Sequence, residues 1–353
     1  MLKKGLLLSI CLVVVFSMLY SDEATLQKLR AQGQKEGWTF TVGETSVSNI
    51  PIEQLCRLTI PANWRENGIF EEDIYGKRVL ATPPASYDLR SLGYMTSVKD
   101  QGSCGSCWAF AHIGSYESAI LWLGGPSVDL SEQFLIDCNT YGYTCASGGW
   151  LDAWPTFNNG VPLESCDPYT EDDSSCITTC PKYYPLVSWA YVGTSSGVPT
   201  TSAIKQAIYD HGAVAAAVYA SSSFSYYTSG IYNSCTTTSP NHAICLCGWD
   251  DASSYWILKN SWGTGWGMSG YMYITYGCSN VGYAAAYGIP NVGTTPPAGD
   301  LADAIDTTYT VTTSGSANWT EVTDVYYYDG DSAKSGTITH SQSTTMTTTI
   351  APT

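Results

Sequence analysis

Eleven of the thirteen cysteines lie between positions 104 and 278, behind an N-terminus of the kind that sends a chain out of the cytosol. That N-terminus reads MLKKGLLLSICLVVVFSMLYS: Lys3 and Lys4, an apolar run from Leu6 to Leu19, then the polar boundary Tyr20-Ser21. The pattern predicts a secretory signal peptide over residues 1–21. The run is shorter than the roughly 20 residues a membrane span needs, and no second apolar span follows, so no stable membrane insertion is expected. Cysteines in an oxidising compartment read as disulfides, and such cross-links narrow the folds open to the segment that holds them. Cys11 lies in the signal, and Cys56 stands alone before residue 80. The balance of 15 basic and 31 acidic residues, a net charge of −16, argues against nucleic acid as a partner.

Residues 22–80 carry many of the chain's few charges, and Leu26, Lys28 and Leu29 fit a short amphipathic helix. The Pro-rich stretch ATPPASYDLRS marks a boundary with a domain expected over 81–290. From Cys107, the positions Ala109, Ile113, Tyr116, Ile120 and Leu123 recur at helical steps, and Gly124-Gly125-Pro126 ends the pattern. SEQFLIDC and GGWLDAWPTF read as two further short helices, and TSAIKQAIYDHG as another. AVAAAVYA, HAICLCGWD, SYWILKN and GYMYITYG read as short strands between turns, as in an antiparallel sheet or barrel. A helical half followed by a β half is an α+β plan. Residues 291–353 shift to Thr, Ser, Gly and Tyr and form a C-terminal extension, with strands or an O-glycosylated tail as its two readings. Asn318 lies in the one standard N-glycosylation sequon.

QGSCGSCWAF, residues 101–110, places two cysteines beside a tryptophan. No histidine joins them at ligand spacing, so neither metal nor cofactor is expected. A nucleophile needs its thiolate form, and Cys107 at the start of a helix has the positive end of the dipole to help it. It also needs a base. His112 sits five residues along the same helix and is turned about 140° away. His211 falls in the last turn of its helix, where a cation has a structural role, and His340 lies in the low-complexity tail. His242, at the start of a strand, remains. In KNSWGTGWG, Asn260 offers an amide to orient the imidazole and Trp262 an apolar cover. Gln101 can aim its side-chain N–H at a developing oxyanion, alongside the Cys107 backbone N–H.

Cys104-Gly105-Ser106-Cys107-Trp108, with His242 and Asn260 following in order, resembles the papain family of cysteine proteases over about Pro84 to Pro290. The resemblance implies a two-lobed papain-like fold, a helical lobe and an antiparallel β-barrel-like lobe, with the active site in the cleft between. It assigns Cys107 as nucleophile, His242 as acid and base, Asn260 as orienter and Gln101 as oxyanion donor. GWTFTVGETSVSNIPIEQLCRL, with Trp38 and Cys56, is similar to a short cathepsin B-type propeptide, as are ESCDPYT and the closing YGIP to that branch. The family's prosegment lies through the cleft in reverse, so the chain's own propeptide is expected to inhibit it. CDPYTEDDSSCITTCPKYYP lacks the branch's long occluding loop and paired histidines, which favours endopeptidase action.

The family pattern pairs Cys104 with Cys145, Cys138 with Cys176, and Cys235 with Cys278. It leaves Cys166 and Cys180 for a fourth bridge, while Cys245 and Cys247 read as buried free thiols. Gly148, Gly149 and Trp150 look like the family's substrate-binding glycines and aromatic wall, and Ala284 like an apolar floor for the P2 side chain. The expected function is a zymogen-activated thiol endopeptidase of peptides and proteins, acting through a Cys107 thioester as a monomer. It would work in the secretory pathway, in a lysosome or vacuole or outside the cell. The competing reading is a catalytically weak or inactive peptide-binding relative.

Overall fold

A computed structural model describes residues 23–71, 82–193 and 197–293, and the backbone of four short strands between positions 311 and 348. The signal peptide, the boundary near residue 80, Asn318 and His340 lie outside the described residues. The helix Cys107–Trp122 organises the rest. It begins where the Ser106 carbonyl accepts the Ala109 and Phe110 amides, and it stops where Gly124 takes a φ of +82° and Gly125 N donates back to Ile120 O. Its side chains are buried from Cys107 to Leu121, whereas Leu123 is exposed. The single apolar face expected from the spacing is therefore replaced by burial all round. Sheet strands cover one side of this helix and the helix Glu132–Cys138 packs on it as well. Ser118 Oγ donates out of the long helix to Tyr94 O at 2.7 Å, while His112 Nε2 and Trp108 Nε1 are buried without a hydrogen-bond partner.

Two apolar clusters define two lobes. One gathers Trp108, Phe134, Leu135, Trp150, Trp154 and Phe157 around the long helix. The other fills the space between the sheet and the helix Thr201–His211 with Ile204, Ile208, Val214, Leu246 and Trp256. GGWLDAWPTF forms only a 3-10 turn, Trp154–Phe157, where Pro155 opens the turn and removes an amide donor. The helix over residues 23–36 buries Leu26 and Leu29, as its pattern predicts.

The β half is one nine-stranded sheet in the order β1-β5-β8-β7-β6-β4-β9-β3, with β2 also on β6. The strands are β1 Phe40–Val42, β2 Ser86–Asp88, β3 Leu186–Tyr191, β4 Val214–Val218, β5 Tyr227–Tyr232, β6 His242–Asp250, β7 Tyr255–Lys259, β8 Tyr271–Thr275 and β9 Tyr283–Pro290. Pairing is antiparallel except between β5 and β8, which run parallel. The first strand comes from the N-terminal segment, with Phe40 opposite Gly230. Beyond residue 310, Val311–Gly315 pairs with Thr344–Thr348, and Trp319–Val322 with Ser332–Ser335. Disulfides join Cys104–Cys145, Cys138–Cys176, Cys166–Cys180 and Cys235–Cys278, while Cys56, Cys107, Cys245 and Cys247 are buried free thiols.

Candidate active site

Cys107 is the first residue of the long helix and is fully buried. His242 opens β6, paired with Val218 of β4. The β6–β7 register sets Lys259 opposite Cys245, so the next residue, Asn260, returns beside the start of β6. There His242 Nε2 lies 2.8 Å from Asn260 Oδ1. The Ser261 amide donates to the same Oδ1 at 2.9 Å, which identifies that atom as the acceptor. His242 Nε2 must therefore carry the proton, and Nδ1 holds the free lone pair. Nδ1 is buried with no hydrogen-bond partner. The Trp262 ring stacks on the imidazole at 4.7 Å and 30°. Gln101 is buried in the same place, its Oε1 accepting from Ser261 Oγ at 2.8 Å.

The histidines set aside from the sequence sit elsewhere. His112 Nδ1 bonds the Trp108 carbonyl at 2.8 Å, under Trp154. His211 ends its helix stacked on Tyr287.

The chain's own N-terminal segment crosses this site. Gln101 Nε2 donates to Leu55 O at 3.0 Å and to Cys104 O at 2.9 Å. The Arg57 backbone amide faces the Cys107 sulfur. Leu58 N donates to Asn241 O and Thr59 N to Gly149 O, each at 3.0 Å, and Leu58 bridges Gly149 in parallel sense. Gly148 allows this approach. It has a φ of +69°, and a Cβ there would fall 1.5 Å from Arg57 O. Further along, Trp64 is buried against Trp150, Tyr191 and Tyr283, with ring centroids 5.5, 5.0 and 5.7 Å away. Ala284 belongs to the same cluster, buried at a φ of +49°, its amide donating to Gly197 O. Arg65 stays exposed at the rim and donates to Tyr283 OH at 2.9 Å.

This cover sets the charge state. Burial pushes the Cys107 thiol up to about 11, against the opposing pull of the Ala243, Arg57 and Trp108 backbone amides. Burial likewise pulls His242 down to about 4, opposed by its bond to Asn260. Both shifts favour the uncharged forms, a thiol and an imidazole, while the segment covers them.

Behind Asn260, a small chamber is lined by Phe110, Glu117, Cys245, Lys259 and Ser261. Lys259 Nζ donates to Thr96 O at 3.0 Å, Thr96 Oγ1 to Glu117 Oε2 at 2.6 Å, and Lys99 Nζ to Glu117 Oε1 at 3.1 Å. Glu117 Oε1 also accepts the Leu130 amide. Sequence reasoning passed over Tyr283, Asn241, Ser261 and this chamber. Tyr283 follows a glycine in a run of alanines, and the others act through backbone groups or through partners distant in the chain, so local pattern carries no signal for them.

A helix-borne cysteine between the lobes, with a strand-borne histidine held by an asparagine, defines a thiol hydrolase of the papain kind. The model of the papain family cysteine proteases matches residues 83–290, and the chain belongs to that family. It is 34% identical over 253 residues to digestive cysteine proteinase 2 of Homarus americanus, covering 66% of this chain and 74% of that one. It is 34% identical over 237 residues to cathepsin K of Mus musculus, covering 63% and 69%. Among solved structures, digestive procathepsin L2 from Tenebrio molitor larval midgut superposes with a TM-score of 0.68 at 28% identity, over 77% of this chain and 91% of that one. A recombinant stem bromelain precursor gives 0.63 at 28% identity, over 77% and 90%. These relatives are cathepsin L- and K-like, so the narrower likeness to the cathepsin B branch is not supported.

Proposed function

We propose that the chain is a precursor whose residues 22–80 form a removable prosegment, and that the released enzyme is a cysteine endopeptidase of the secretory pathway. The observation that carries this reading is the tautomer of His242. With Nε2–H given to Asn260, the basic Nδ1 is left for the Cys107 thiol. Cys107 loses its proton to Nδ1, and the thiolate attacks the peptide carbonyl. Gln101 Nε2, now bonded to the Leu55 carbonyl, and the Cys107 backbone N–H take the oxyanion. The imidazolium protonates the leaving amine. Water, deprotonated by His242, then cleaves the thioester and restores the thiol. Gly148, Gly149, Trp150 and Ala284 would bind substrate, with an apolar residue at P2.

Endopeptidase action is supported by the segment after Cys166. It is closed by Cys166–Cys180 and tied down by Asp173 Oδ1 accepting Cys145 N at 2.7 Å and by Ser174 N donating to Asp137 Oδ1 at 2.8 Å. Four disulfides favour an oxidising compartment, whether lysosome, vacuole or the extracellular space. The test is direct. After removal of the prosegment, an epoxide-type thiol inhibitor should label Cys107 and stop peptide cleavage, and Cys107→Ser should be inactive though folded. Peptidase activity in that variant would refute the assignment.

A further inference from the structure

Cys56 is a free thiol, 8% exposed, in the one stretch of the N-terminal segment pinned directly over the nucleophile. On one side the Leu55 carbonyl is fixed by Gln101 Nε2 at 3.0 Å. On the other, the Arg57 amide faces the Cys107 sulfur, and Arg57 Nη1 donates to Ala146 O at 2.9 Å. The Arg57 nitrogen is two covalent bonds from the Cys56 Cα. The Cys56 backbone is thus tethered beside Cys107, and the Cys56 thiol is raised by burial and, second, by Cys107. The third reactive group present, His242 Nδ1, is buried without a hydrogen-bond partner. Nothing in the peptidase mechanism uses Cys56.

We propose that Cys56 and Cys107 form a reversible disulfide that locks the prosegment onto the nucleophile in an oxidising compartment. The inference rests on the reading of residues 22–80 as a prosegment. The oxidant is a small-molecule disulfide of the glutathione type. Cys107 is fully buried under the segment, so the exchange begins when the segment lifts: the Cys107 thiolate, its proton passed to His242 Nδ1, attacks one sulfur of that disulfide and releases the first small thiolate. The Cys56 thiolate then attacks the Cys107 sulfur and releases the second. Two protein thiols lose two electrons and two protons, and one small disulfide becomes two small thiols. A reducing thiol reverses both steps. The lock blocks the nucleophile by chemistry as well as by cover, so that acid alone would not start proteolysis before a reductant arrives.

The full-length precursor, incubated with oxidised glutathione near neutral pH, alkylated and digested without reduction, should yield a linked pair of peptides containing Cys56 and Cys107. The oxidised precursor should neither take up an epoxide inhibitor nor activate in acid until dithiothreitol is added. Cys56→Ser, and independently Cys56→Ala, should activate in acid with no need of reductant. Recovery of both cysteines alkylated, or each carrying its own glutathione, would overturn the proposal. So would a reductant requirement that persists in both variants. The linkage map needs no enzymatic activity. A linked but permanently inactive protein would therefore count against the peptidase reading alone, and an active enzyme with no link against the lock alone.

Discussion

At the scale of residues, a short bond decides how the imidazole is used. Asn260 Oδ1 already accepts the Ser261 amide, so it holds His242 in one tautomer without competing for a proton. On the proposed mechanism, His242→Ala removes the acid and base and should lower kcat/KM by about 10²–10⁴-fold or more. Asn260→Ala leaves the ring in place under Trp262 and should cost clearly less, mostly in kcat. Equal losses in the two variants would show that Asn260 does more than orient. The thiol offers a second measurement. Burial lifts the Cys107 value to about 11 in the covered state. A thiol raised this far is protonated below that value, so at pH 7 only about one in 10⁴ is thiolate. Its alkylation by iodoacetamide in the reduced precursor should rise about tenfold per pH unit through the neutral range. After the prosegment leaves, the rate should be higher and far less dependent on pH. A flat profile in the precursor would mean that the ion pair already exists under the cover.

Among the elements, those with local punctuation were readable in advance. Gly124 and Gly125 close the long helix, Gly212 closes Thr201–His211, and the strands from AVAAAVYA to GYMYITYG fall where short runs between turn residues place them. The strands β1, β2, β3, β5 and β9 were not anticipated. Their sequences, such as YTSGIY and YAAAYGIP, have small or mixed residues and no alternation, and their register comes from partners far along the chain. His242 could be found because elimination among four histidines does not need local pattern, and Asn260 because it stands in the run KNSWGTGWG. Trp64 could not, because what buries it is Trp150, Tyr191 and Tyr283, all far off in sequence. Truncating a buried aromatic costs about 3–5 kcal/mol. Trp64→Ala in a separately expressed prosegment should therefore weaken inhibition of the mature enzyme by about 10²-fold or more. An inhibition constant unchanged by that substitution would remove Trp64 as the anchor.

For the molecule as a whole, the two lobes meet along the long helix and across the chamber behind Asn260. The run Lys259, Thr96, Glu117 and Lys99 spans that chamber by hydrogen bonds. Glu117→Ala takes the acceptor from Thr96 Oγ1 and the Leu130 amide, while Lys99 keeps Glu132 and the Leu130 carbonyl. It should destabilise the enzyme by about 1–3 kcal/mol, seen as a lower Tm with the disulfides intact. On the proposed function, the cleft between the lobes also sets specificity. Where the chain's own Trp64-Arg65 pair meets the aromatic pocket beside Ala284, the tryptophan is buried and the arginine stays at the rim. An apolar P2 side chain gains about 1.5–3 kcal/mol from burial there. A Phe-Arg substrate should be cut about ten- to a hundredfold faster than an Arg-Arg one. Equal turnover, or a ladder of dipeptides lost from the C-terminus of a long peptide, would overturn the open apolar cleft. The N-terminal segment has one more consequence. Through β1, with Phe40 opposite Gly230, it is the outermost strand of the sheet. Its departure turns β5 from an inner strand into a border, baring amide and carbonyl groups that Thr39 and Thr41 had capped. On the proposed removal of residues 22–80, the three-residue border β1 would give way to the six-residue β5, a longer border to which a foreign strand can attach.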